Sequence, residues 1–182
     1  MDLKNVFKNA ALCLALASMG ASFTTLAAGA TLTIKGTIKA SPCVVDADDA
    51  AGNVSVNLGD SIEANTLAAP NRFSDWKDFT LHLKDCPDAT TQAVATFSGT
   101  QATETGAANM YKNTGTAGKV QIELQDSRGG GTRQGNSSTM MVPVTLATHD
   151  ATFPMRARAY TVEGGVTPGT ILGVVQVAFT YQ

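Results

Sequence analysis

A chain of 182 residues with 13 basic and 15 acidic side chains and a formal net charge of −2 is the size of a single globular domain. It has no basic field of the kind that nucleic-acid binding requires. Beyond the first thirty residues, no apolar run is long enough to span a bilayer.

Residues 1–27 begin with Lys4 and Lys8, continue through the apolar run "AALCLALASMG" and end in small residues. That is the three-part layout of a secretory signal peptide, with cleavage expected after Ala27 and with Ala28 or Ala30 as alternatives. Removal of 1–27 leaves 155 residues carrying 11 basic and 14 acidic groups, a net charge of −3. Cys13 goes with the leader, so Cys43 and Cys86 remain. In an exported chain such a pair is expected to be a disulfide, two free buried thiols being the alternative.

Directly behind the leader stands "ATLTIKGTIKA", 30–40, with Ala30, Leu32, Ile34, Gly36 and Ile38 on one side and Thr31, Thr33, Lys35, Thr37 and Lys39 on the other. This period of two predicts a strand. Its interior glycine weakens it unless another backbone must come close there. Part of the segment, near 38–45, is expected to run on into the domain's own first strand.

No helix is predicted in the rest of the chain. Short strands are expected at 53–59, 78–86, 92–99, 119–126, 140–146, 153–162 and 170–182, separated by loops dense in Gly, Asn, Thr, Asp and Ser. The pattern predicts an antiparallel β-sandwich of immunoglobulin-like plan. Pro143 and Pro154 fall inside strand candidates, which places those segments at edges, bulges or strand starts.

The residues offer no catalytic, cofactor-binding or metal-ligating set. His82 and His149 lie far apart in sequence, and His82 alternates with Leu81 and Leu83, away from their face. Asp46, Asp48 and Asp49 lack the later bidentate Glu of a calcium-binding hand and read as a solvated acidic turn. "RGGGTRQG", 128–135, has no Gly-Lys-Ser/Thr ending and is read as a flexible hairpin connection. Asn136 heads a sequon-like "NSS", which matters only where a host glycosylates. No serine, threonine or cysteine stands in a nucleophile motif, so no enzyme activity is expected.

Several of these stretches together resemble the subunits of chaperone–usher fimbriae, and most of all the minor adaptor pilins of type 1 fimbriae. They are "ATLTIKGTIKASPCVV" behind the leader, the second cysteine in "DFTLHLKDCP", "MYKNTGTAGKVQIELQD", and the C-terminal "GTILGVVQVAFTYQ" with Gly169 fourteenth from the end and Tyr181 penultimate.

The resemblance implies an incomplete immunoglobulin-like sandwich that lacks its final strand and is completed by a donated one. Residues 28–39 would be an N-terminal donor-strand extension, with Ala30, Leu32, Ile34, Gly36 and Ile38 facing a neighbour's groove, and 40–182 the pilin domain. The chain's own groove would be bordered by Gly169, Val175, Val177, Phe179 and Tyr181 and by one earlier strand. The implied partners are a periplasmic fimbrial chaperone, an outer-membrane usher and neighbouring subunits, with a tip adhesin as one candidate. The implied role is a structural subunit exported through the periplasm to a surface fimbrium that supports cell adhesion, without cofactor or catalysis. A major rod pilin and a single-domain carbohydrate-binding adhesin using loops 101–118 or 127–138 are the alternatives.

Overall fold

The computed structural model describes residues 33, 35–37, 42–48 and 52–182. The leader 1–27, and with it Ala30, Leu32, Ile34 and Ile38 of the proposed extension, lie outside the described residues. The chain divides into two units, Met1–Thr37 and Ile38–Gln182, and every element below belongs to the second.

Among the described residues, nine strands form two antiparallel sheets. β1 (Val44–Asp46), β3 (Lys77–Lys84), β8 (Ala151–Thr161), β6 (Gln121–Asp126) and β5 (Tyr111–Lys112) lie in that order in the larger sheet, and β2 (Arg72–Phe73) also pairs with β8. The smaller sheet runs β7 (Thr139–Pro143), β4 (Gln92–Gly99), β9 (Val175–Tyr181). A short 3₁₀ turn, Ala64–Leu67, is the one helical element among the described residues.

Alternation puts one face of each sheet inward. β8 shows it over eleven residues, with Phe153, Met155, Ala157 and Ala159 buried and the intervening side chains outside. Opposite them, Ala93, Ala95 and Phe97 of β4 and Met140 and Val142 of β7 close the core from the smaller sheet. The sandwich is thus the one its short alternating strands predict.

Cys43 and Cys86 form a disulfide. Because Val44 is register partner of Lys84, the bridge pins the short β1 to the end of β3. Asp85, with φ 54°, turns the chain out of β3 just before Cys86.

Three local expectations change. The segment 53–59 is extended and alternating, with Val54, Val56 and Leu58 half-buried against the core, yet it belongs to no ladder among the described residues. Pro143 closes the edge strand β7, but Pro154 sits in β8, a central strand. It is tolerated because the β6 ladder ends at Asp126 and Met155, so Pro154 pairs only with Thr80 of β3.

The glycine run is not a loose connection. Gly129, Gly130 and Gly131 all have positive φ, a conformation glycine adopts without strain, and a Cβ at Gly131 would strike Arg156 and Gln125. The returning chain is fastened where Asp126 N–H donates to the Thr132 carbonyl at 2.9 Å and Gln134 N–H to that of Leu124 at 2.8 Å. Beneath it lies Glu123, fully buried. Its carboxylate accepts from Arg133 Nε, from Arg158 Nε at 2.6 Å and from Gln125 Nε2 at 2.9 Å. Burial alone would raise the Glu123 pKa, but the bonds from Arg133 and Arg158 outweigh it and hold the group below the usual carboxylate range. The Arg158 guanidinium also lies over Phe73 at 3.7 Å and over Trp76 at 4.0 Å.

Candidate functional site: an open groove between two extended segments

β9 is hydrogen-bonded along its length to β4, from Ala93 opposite Tyr181 to Gly99 opposite Val175. It ends the sheet order, so its other edge has no strand partner among the described residues. Across the sandwich, 53–58 also lacks a ladder. Between the two lies a groove of about 1530 Å³, larger than the roughly 300–1,000 Å³ of a small-molecule site.

Its walls and floor are apolar. Val54, Val56, Leu58 and Ile62 line one side; Ile171, Val175, Val177 and Phe179 line the other; Leu81, Phe97 and Leu124 form the floor. Val175, Val177, Phe179 and Tyr181 pack against the core yet are only half-buried, although alternation points them inward. Phe179 reaches Phe153 with ring centroids 5.5 Å apart. Apolar side chains half-wet on the inner face of a sandwich are what remains when one strand of a sheet is missing. An unpaired edge beside them is an open template for strand addition.

The end of the groove is held by a clamp. Asn113 Nδ2 donates to the Ala117 and Thr170 carbonyls, and its Oδ1 accepts from Gly115 and Leu172 N–H. Thr116 N–H donates to Thr170 Oγ1 and Thr170 N–H to Thr116 Oγ1, at 3.0 and 2.9 Å. Gly169 fits beneath: a Cβ there would overlap the Ala117 nitrogen and Thr116. Gly173 is likewise closed in, by Ile122. Beside the clamp, Tyr111 is buried and its hydroxyl lacks a hydrogen-bond partner among the described residues. Desolvation pushes its pKa up to about 12.

Of the predicted groove residues, Gly169, Val175, Val177 and Phe179 line the cavity. Tyr181 stands just beyond it, its pKa raised by burial, with its hydroxyl against the Cys43 backbone. Of the predicted donor residues only Gly36 is described; it is exposed, and a Cβ there would meet no atom within 4 Å. The sequence reading missed the clamp, whose signal was the run of Asn, Thr and Gly in "NTGTAG", 113–118. It also missed the wall at 53–58, where alternation was seen but the absence of a pairing partner was not. Elsewhere, His82 Nδ1 lies 3.4 Å from Asp46 and His149 Nδ1 3.5 Å from Asp88. The two histidines share no cleft with the groove.

The geometry defines a class: an immunoglobulin-like sandwich short of one strand, with an apolar groove where that strand would lie. The family described as Fimbrial protein matches residues 32–182. Protein FimG of Escherichia coli (strain K12) is 40% identical over 162 residues, covering 89% of this chain and 90% of FimG. The S-fimbrial adhesin protein SfaS of Escherichia coli O6:K15:H31 (strain 536 / UPEC) is 35% identical over 160 residues, covering 88% of this chain and 90% of its own. In fold, the chain is similar to the crystal structure of the P pilus rod subunit PapA, with TM-score 0.56 at 17% identity over 84% of this chain and 99% of that one. The chain therefore belongs to the fimbrial protein family, the subunits of chaperone–usher fimbriae. It is a surface-exported structural subunit of a fimbria, and assembly by donor-strand exchange is general to its family.

Proposed function

We propose that this subunit occupies a minor, adaptor position in its fibre, accepting one strand into the groove beside β9 and giving another from its own N-terminus. The observation that supports the reading is the groove itself, bounded by β9 and 53–58, each without a strand partner among the described residues on the side facing it. In the periplasm a chaperone strand fills it; at the usher the extension of the next subunit replaces that strand. This chain's extension, 28–39, docks in turn into its neighbour after the leader 1–27 is removed, with Ala30, Leu32, Ile34, Gly36 and Ile38 inward. The neighbours are other fimbrial subunits, a tip adhesin among the candidates, and the chain works without catalysis.

The physics suits the role. Nine extended residues reach about 30 Å. Burying Leu32, Ile34 and Ile38 contributes on the order of 1.5–3 kcal/mol each, before ordering costs. A slip of one residue would turn Thr and Lys into the groove, so alternation fixes the register. Since nothing described in this chain crowds Gly36, the call for glycine comes from the acceptor's wall.

Gly36→Arg and Ile34→Asp test the assignment. Each variant is expected to fold with its chaperone and to fail to dock into the next subunit; normal incorporation of either into fibres would sink the donor assignment. The relation to SfaS, an adhesin by name, supports a second reading in which loops 101–118 or 127–138 bind glycan. Glycan-array binding by the strand-completed chain would favour it.

A further inference from the structure

Among the described residues six large apolar side chains are exposed, and four of them gather at the two ends of the sandwich. At one end, just ahead of β9, Leu172 is 56% exposed and Val174 71%. The position between them faces inward, since a Cβ on Gly173 would strike Ile122, so Leu172 and Val174 point away from the interior. At the other end stand Val44 of β1 and Leu146 of the turn 145–150. That turn is fastened to the disulfide, for Cys86 N–H donates to the His149 carbonyl at 2.9 Å. The same end is where the chain preceding Cys43 joins the body: Cys43 is bridged to Cys86, and Tyr181, at the far end of β9, reaches the Cys43 backbone.

An extension leaving at Cys43 puts the subunit that receives it at the Tyr181 end of β9. A strand arriving in this chain's own groove must then bring its body to the opposite end, beside 169–174, because two bodies cannot share one end. The link is short. In this chain the last inward residue of the extension, Ile38, and the anchored Cys43 are five residues apart, which span at most about 18 Å. A neighbour built to the same plan is therefore held with its body directly over the groove's mouth.

We propose that Leu172 and Val174 are the docking patch for the body of the subunit whose extension fills the groove. Different patches at opposite ends are what a head-to-tail contact requires, and such a contact repeats along a filament. Val44 and Leu146 are this chain's side of the same contact toward its other neighbour. Two side chains fall far short of the roughly 800 Å² per partner of a free-standing interface. They do not have to bind alone, since the docked strand holds the two bodies at an effective concentration on the order of millimolar. The contact fixes the angle between successive bodies, which a strand and a short link leave free. The inference rests on the fibre reading above.

The test is photo-crosslinking in fibres on cells that express the full chain, with p-benzoylphenylalanine in place of Val174 or, as a control, of the outward-facing Thr96 on β4. Irradiation is expected to join position 174 to the body of the neighbouring subunit, beyond that subunit's extension, and to give no such adduct from position 96. Leu172→Lys, added to the position-174 probe, should lower the adduct yield about threefold or more while incorporation into fibres is kept, because one of the two buried side chains is lost. Adducts to the extension alone, or a yield indifferent to Leu172→Lys, overturn the contact and leave strand completion standing. An adduct to the chaperone in the periplasm with none in fibres assigns the patch to capture and likewise overturns it. An unmodified chain that never enters fibres contradicts the fibre reading, and this contact with it.

Discussion

Gly169 lies so close to the backbone nitrogen of Ala117 that no side-chain carbon fits between them. The contact is part of the Asn113 and Thr116–Thr170 clamp, which sets where the chain leaves for β9 and hence the shape of the groove's end. Gly169→Ala is expected to cost about 1–3 kcal/mol through overpacking. Gly173→Ala should cost less, because there the obstacle is the tip of Ile122, which can change rotamer. Urea unfolding of the two strand-completed variants checks the order.

Glu123 ties two strands, β6 and β8, and a hairpin to one buried carboxylate. Removing it strands two arginines, and Glu123→Gln is expected to destabilise by about 3–5 kcal/mol. The pH dependence follows from the lowered pKa. A carboxyl held below its unfolded value of about 4.3 contributes stability that is present above that value and lost as pH falls through the folded one. Midpoints measured across acid pH should decline less steeply in Glu123→Gln than in the parent.

Opening the Cys43–Cys86 bridge frees a loop of 42 intervening residues, and on the chain-entropy model that costs roughly 4 kcal/mol. Cys86→Ser is expected to lower both the denaturation midpoint and the exported yield. Two titratable thiols in the purified mature chain would refute the pairing.

The inward residues of β9 separate two roles. Val177 lines the groove, whereas Tyr181 stands past its end against the Cys43 backbone. Val177→Asp should abolish strand acceptance, since an unpaired carboxylate would face the docked chain. Tyr181→Ser should reduce chaperone capture without abolishing it. Co-purification with the chaperone and periplasmic level measure both.

Much of the sandwich was legible because alternation is a local signal: β4, β6 and β8 appear within two residues of where period and turn residues place them. What pairs with what is not local. The run 53–59 has the alternation of a strand but joins no ladder among the described residues, and periodicity carries no information about pairing. The three glycines of 129–131 were read as slack. Their need is for positive φ, with Gly131 closing over a packed Gln125 and Arg156, the second of them on a different strand. Gly169 and Tyr181 were visible only through resemblance. The clamp that explains Gly169 is a tertiary fact, written in hydrogen bonds between 113–118 and 167–172.

The most direct test of strand completion is a pair of denaturant curves on the mature chain from Ala28, one with and one without a strand added behind a C-terminal linker. An unstable or aggregated lone chain is expected, and a cooperative transition at much higher denaturant once the strand is present. A lone chain that is a stable monomer, with a midpoint indifferent to the added strand, would contradict it.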